Sequence, residues 1–169
     1  MQSSFSVSLD ATDLRLLALL QDDASLTNQA LAEAAHTSPA TALRRVRRLE
    51  ETGVIQRRIA LLDPARVGAG LNVLVEVVLD RQGAEHLDAF EQRAVADAEV
   101  QQAWRVAPGP DFVLVVHVRD MPGYHALVQR LFTQDANVRN VKAYFAVKRA
   151  KFDPALPLRP GAPPATSSA

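Results

Sequence analysis

The sequence predicts an α+β chain in two parts, an N-terminal winged helix-turn-helix followed by a ferredoxin-like βαββαβ domain. Three observations predict it. Residues 38–53, SPATALRRVRRLEETG, read as a capped helix preceded by two more. Residues 71–149 alternate between period-two and helix-period apolar patterns, in the order strand, helix, strand, strand, helix, strand. Between them, Asp63-Pro64 and Gly68-Ala69-Gly70 punctuate the chain as a hinge would. The expected divisions are therefore 9–62, a hinge at 63–70, 71–152, and a tail at 153–169.

The 169 residues, 48% of them hydrophobic, suffice for one large or two small globular domains with proper cores. Without cysteine, a disulfide framework and a Cys-based zinc site are both excluded. The start, MQSSFSVSLD, lacks a basic region followed by an apolar run, so no signal peptide is expected. No run approaches the 18 or so apolar residues of a membrane span. A soluble cytoplasmic protein is expected.

Asp10 is placed to cap a first helix through about Gln21, with Asp13 in its first turn. Leu14, Leu16, Leu17, Leu19 and Leu20 cover more than one face, so this helix should be buried on most sides. Thr27 can cap a short second helix, NQALAEAA, and His36-Thr37 make a tight turn into the third. Ser38 stands at the N-cap of that third helix, and Pro39 follows where a missing N–H costs nothing. Leu43, Val46 and Leu49 form its expected apolar stripe, Arg44, Arg45, Arg47 and Arg48 its expected solvent face, and Gly53 its end. The strand-like segment VIQRRIALLDP follows, as a wing or a linking strand.

In the second half, Leu71, Val73, Val75, Val77 and Leu79 share one face of a strand over 71–80. A helix over 84–96 carries Leu87, Phe90, Ala94 and Val95 as its stripe. Strands at about 99–106 and 111–118 are joined by Ala107-Pro108-Gly109-Pro110. A helix from Met121 to Phe132 places Tyr124, Leu127, Val128 and Leu131 on one side, and a last strand spans about 138–149. On the third strand Phe112, Leu114, Val116 and Val118 line one face, yet Val113 and Val115 make the other apolar too. A sheet face left in water normally alternates to polar residues, so the same sheet of a second subunit is the fitting cover, giving a two-fold dimer. The proline-rich end, PALPLRPGAPPATSSA, is expected to be disordered.

The formal net charge is zero, but its distribution is uneven. Residues 1–43 hold one arginine against five acids, and residues 44–58 hold six arginines against Glu50 and Glu51. A local basic patch on a helix with a polar start suits a phosphate-lined groove. Ser38 and the free N–H groups at the helix start can receive a phosphate. Thr41, Arg44 and Arg45 lie where a recognition helix reaches base edges; Arg47 and Arg48 extend the basic face, and Arg57 and Arg58 suit flanking phosphates. Double-stranded DNA is thus the expected partner. His36, His86, His117 and His125 show no ligand spacing, and no phosphate-binding glycine loop or nucleophile motif is present. Neither a metal, a cofactor nor a catalytic residue is implied.

These residues also carry a family resemblance. Leu9-Asp10, Leu31-Ala32, Ser38-Pro39, Arg45-Val46-Arg47-Arg48-Leu49-Glu50, Gly53-Val54-Ile55 and Leu62-Asp63-Pro64 resemble the DNA-binding half of the Lrp/AsnC family of transcriptional regulators. Asp111-Phe112-Val113-Leu114 and Asn137-Val138 are similar to that family's ligand-sensing (RAM) domain. The resemblance spans about residues 9–152. It implies a homodimer of a kind that often assembles further into octamers, with the strand near 55–62 helping to pair subunits. It also implies an amino-acid effector bound between sensing domains, near the turn joining the second and third strands and near the last strand, hence at Gly109, Asp111, Ala143 and Tyr144. Where the family turn reads Gly-Asp-x-Asp, this chain has Pro108-Gly109-Pro110-Asp111, and Ala143 stands where relatives carry a hydroxyl. The alternative is an architectural DNA-binding protein without effector response.

Overall fold

Every helix of the N-terminal half starts at a polar side chain that caps it. The computed structural model describes residues 7–64, 66–68 and 70–158. Helix α1 is Ala11–Asp22; the Asp10 carboxylate accepts from the backbone N–H groups of Thr12 and Asp13, while the Asp13 carboxylate accepts from Asp10 N–H. Thr27 caps α2, Asn28–Ala34, and Ser38 caps α3, Pro39–Glu51. Between α2 and α3, His36 takes a left-handed φ of 53°, with its N–H on Glu33 C=O and that of Thr37 on Ala32 C=O. That pair of bonds is a Schellman stop, with histidine where glycine is usual. Gly53, at φ 74°, ends α3 in the same conformation.

The chain divides into two compact units, Met1–Ala60 with Phe152–Ala169, and Leu61–Lys151. The core of the first joins the three helices through Leu16, Leu31, Ala32, Ala35, Ala42 and Val46, with Leu17 and Leu49 also buried. Two expectations about this core fail. Leu43 is 42% exposed and Ala42 takes its place in the core, because 42, 46 and 49 keep pace with about 3.6 residues per turn better than 43, 46 and 49 do. Leu14, Leu19 and Leu20 are only half-buried, so α1 is not enclosed on most sides. Residues 56–62 carry neither helix nor strand; one segment has no ladder partner within a single chain, and Ile59, Leu61 and Leu62 stay exposed. The start of the tail is ordered against α1: Gln21 Nε2 donates to Leu156 C=O (3.1 Å) and Gln21 Oε1 accepts from Leu156 N–H (2.7 Å). The remainder of the expected disordered tail, 159–169, lies outside the described residues.

In the second unit β1 (Leu71–Leu79), β2 (Val100–Arg105), β3 (Phe112–Val118) and β4 (Val138–Phe145) form one antiparallel sheet in the order β2-β3-β1-β4. Helices α4 (Ala84–Ala96) and α5 (Met121–Val128) supply the rest of its core. Val73, Val75, Val77 and Leu79 pack with Phe112, Leu114, Val116 and Val118 beneath Phe90, Ala94, Tyr124 and Leu127. Phe90 and Phe112 meet with ring centroids 4.8 Å apart. Val95 is exposed instead of joining the stripe, which Phe90 and Ala94 complete. Beyond Val128 one π turn, Gln129–Thr133, re-phases the helix so that both Leu131 and Phe132 are buried. The last strand stops at Phe145, four residues short of expectation.

The opposite sheet face carries Leu74 and Glu76 on β1, Trp104 on β2, Val113 and Val115 on β3, and Lys142 and Tyr144 on β4. Among the described residues no element of this unit covers it: Leu74 is 45% exposed and Trp104 58%.

Candidate nucleic-acid interface

The arginine helix is held from both ends of its own small bundle. Asn28 Nδ2 donates to Pro39 C=O (2.9 Å), tying the start of α2 to the first turn of α3. Ser38 Oγ accepts from Thr41 N–H (3.2 Å) and its hydroxyl donates to Thr41 Oγ1 (2.8 Å), so cap and first turn are preorganised. Residues three apart share a helix face. Thr41, Arg44 and Arg47 therefore make one row; both arginines are exposed and form no salt bridge among the described residues. Leu43 is exposed beside them, an apolar group of the kind that contacts a thymine methyl.

The other two helix arginines are paired with carboxylates at the start of α1, so Arg45, at 22% side-chain exposure, departs from the expected solvent fan, while Arg48 is still 41% exposed. Arg45 Nη1 lies 2.7 Å from Asp10 Oδ2 and 2.8 Å from Asp13 Oδ1, and Arg48 Nη2 lies 2.6 Å from Asp13 Oδ2. Asp13 is buried, at 1% exposure. Burial alone would raise its pKa, but the hydrogen bonds from Arg45, Asp10 N–H and Arg48 outweigh that and hold it below the ordinary 3.8. Asp10 is lowered too, by the Asp13 N–H and then by Arg45. In return the Asp13 and Asp10 carboxylates raise the Arg45 pKa. Ser8, Asp10, Asp13, Arg44, Arg45 and Arg48 line an open cleft of about 280 Å³. Farther along, Arg58 Nη2 pairs with Glu50 Oε1 at 2.8 Å, and Arg57 is exposed. The sequence marks Asp10 as a cap and Asp13 as a first-turn acid, but not that both carboxylates face α3. The available signal was the pairing of two acids three apart on α1 with two arginines three apart on α3.

The residues expected at an effector site do not converge within one chain. Gly109, at φ 127°, follows the cis Ala107–Pro108 bond. Asp111 is already engaged: Oδ2 accepts from Leu79 N–H (2.7 Å) and its N–H donates to Val77 C=O (2.9 Å), at the place where the β1–β4 register slips. Ala143 lies opposite Val75 on the helix-covered face, whereas Tyr144 lies opposite Leu74 on the open face and is 52% exposed. Among the described residues no group of three or more acidic or histidine side chains could hold a metal, and no helix is long and apolar enough to cross a membrane.

Comparison with known proteins places both halves. A winged helix-turn-helix DNA-binding model matches residues 9–56, and the Lrp/AsnC ligand binding domain matches residues 72–156. The DNA-binding transcriptional activator DecR of Escherichia coli K12 is 35% identical over 150 residues, covering 89% of this chain and 99% of that one. The crystal structure of an AsnC family transcriptional regulator from Agrobacterium tumefaciens superposes with a TM-score of 0.82 at 32% identity, over 88% of this chain and 97% of its own. A transcriptional regulator of Neisseria meningitidis in its L-Met complex gives 0.81 at 29% identity, over 89% and 97%.

Proposed function

The chain belongs to the Lrp/AsnC family of transcriptional regulators, and from that premise we propose that it binds specific DNA sites in the cytoplasm as a homodimer, under control of an amino acid or related small molecule. One observation carries the DNA assignment. A capped helix, set one tight turn after α2, presents the half-buried Thr41 and the exposed Arg44 and Arg47 in a single row. Its first turns reach base edges, while Ser38 and the exposed N–H groups at its start take a phosphate. Arg57 lies free for a flanking phosphate, and Arg58 is in part neutralised by Glu50. Two recognition helices related by a two-fold axis read a roughly palindromic site, with half-sites about one helical turn or a multiple of it apart.

Dimerisation through the open sheet face is supported by the apolar Leu74, Trp104, Val113 and Val115, which water would otherwise meet. Further assembly into octamers would present several recognition helices to one DNA. Control by an amino acid is supported by the ligand-binding domain match and by the L-Met complex of the Neisseria relative. A second reading, an architectural DNA-binding protein without effector response, is favoured by the engaged carboxylate of Asp111 and by Ala143 packing into the core side of the sheet.

Two experiments separate the readings. Replacing Arg44 and Arg47 together by alanine should abolish duplex binding while leaving a folded oligomer; retained binding contradicts the interface. A thermal-shift screen against the twenty amino acids should then find a hit, since a ligand at 100 times its Kd adds about 2.7 kcal/mol. A flat screen favours the architectural protein.

A further inference from the structure

We infer that Asp13, helped by Asp10, is a specificity-determining positioning residue that withdraws Arg45 and Arg48 from DNA, so that Arg44 and Arg47 alone of the helix arginines meet phosphate or base. The inference rests on the reading of α3 as the DNA-contacting helix. Both oxygens of the buried Asp13 carboxylate are occupied, Oδ1 by Arg45 and Oδ2 by Arg48, at 2.8 and 2.6 Å, and Asp10 Oδ2 adds a second contact to Arg45 at 2.7 Å. Pulling Arg45 off Asp13 to follow a phosphate would leave a buried carboxylate short of its partner, which is among the costlier changes a protein can undergo. Among the described residues Arg44 and Arg47 form no such ion pair, and both are exposed.

The consequence is a division of labour within four neighbouring arginines. Phosphate contacts bind all sequences alike, so every free arginine adds non-specific affinity. Holding two of them on Asp13 trims that background and turns their side chains into struts that fix the angle of α3 against α1. The four arginines of α3 thus yield two contacts and two braces.

The salt dependence of binding counts phosphate contacts directly, because log K falls against log salt by about 0.9 per contact. A random-sequence duplex serves as probe, followed by fluorescence anisotropy between low and moderate salt. For each recognition helix engaged, Arg44→Gln and Arg47→Gln should each flatten the slope by about 0.9. Arg45→Gln should leave the slope unchanged. Asp13→Asn, which keeps an oxygen for the helix cap, should steepen it by up to about 1.8 and tighten random-duplex binding several-fold at low salt. Equal flattening by Arg45→Gln and Arg44→Gln, or an unchanged slope in a folded Asp13→Asn, overturns the inference. Should Asp13→Asn not fold, the comparison of Arg45→Gln with Arg44→Gln decides alone. A slope that none of the arginine variants alters overturns the underlying reading of α3 as well.

Discussion

A carboxylate buried as deeply as that of Asp13 stays ionised only because donors meet it, the Asp10 N–H, Arg45 and Arg48. Its folded pKa lies below its ordinary value, as does that of Asp10, so both contribute stability above about pH 4 that is lost as pH falls through the folded values. Thermal unfolding followed from pH 6 to pH 2 should show the N-terminal unit weakening below about pH 4, with a shallower loss in Asp13→Asn. Parallel curves for the two proteins would contradict the network. Side-chain burial makes an equally sharp contrast between two leucines of α3. Leu49→Ala should cost about 2–5 kcal/mol in urea unfolding, since the side chain is fully buried. Leu43→Ala should stay within about 0.5 kcal/mol, because that side chain is exposed. His36→Gly should raise stability by roughly 0.5–1 kcal/mol, since glycine adopts the left-handed stop without strain.

Elements were readable from sequence wherever the cause is local. Asp10, Thr27 and Ser38 cap the three helices because a short polar side chain reaches its own first turn, and no distant residue is needed. The alternation of Val73, Val75 and Val77 identifies β1 because a half-covered sheet has only one core side. What sequence could not supply was long-range. Arg45 meets Asp13 across 32 positions, so the inward turn of two arginines leaves no mark on their own helix. The π turn after Val128 likewise answers to the fit of Leu131 and Phe132 into a core assembled from four strands. The expected effector positions rest on resemblance alone; Ala143 and Tyr144 alternate along β4, and alternation sends neighbours to opposite faces. At the junction of β1 and β3, Gly70 has a role invisible from its neighbours. A Cβ there would lie 1.6 Å from the Arg119 carbonyl oxygen. Gly70→Ala should therefore destabilise the second unit by about 1–3 kcal/mol, read as a lower urea midpoint, and an unchanged midpoint would show that the strand entrance yields freely.

At the scale of the whole molecule, the open sheet face and the recognition helix make one system if the face pairs two copies, because a palindromic site needs two helices in fixed relation. Placing charges on that face, as in Leu74→Lys with Trp104→Glu, should reduce the solution mass to that of one 18.4 kDa chain by light scattering, without loss of helix content. Dimers that survive both substitutions would locate the pairing surface elsewhere. Sequence-specific DNA recognition is tested by selection from a random duplex library, followed by affinities for the enriched site and for random DNA at one salt concentration. A sequence-specific regulator should enrich a roughly two-fold symmetric site, bound at least about 10³-fold more tightly than random duplex. Failure to enrich any site, with equal affinity for all duplexes, would contradict it.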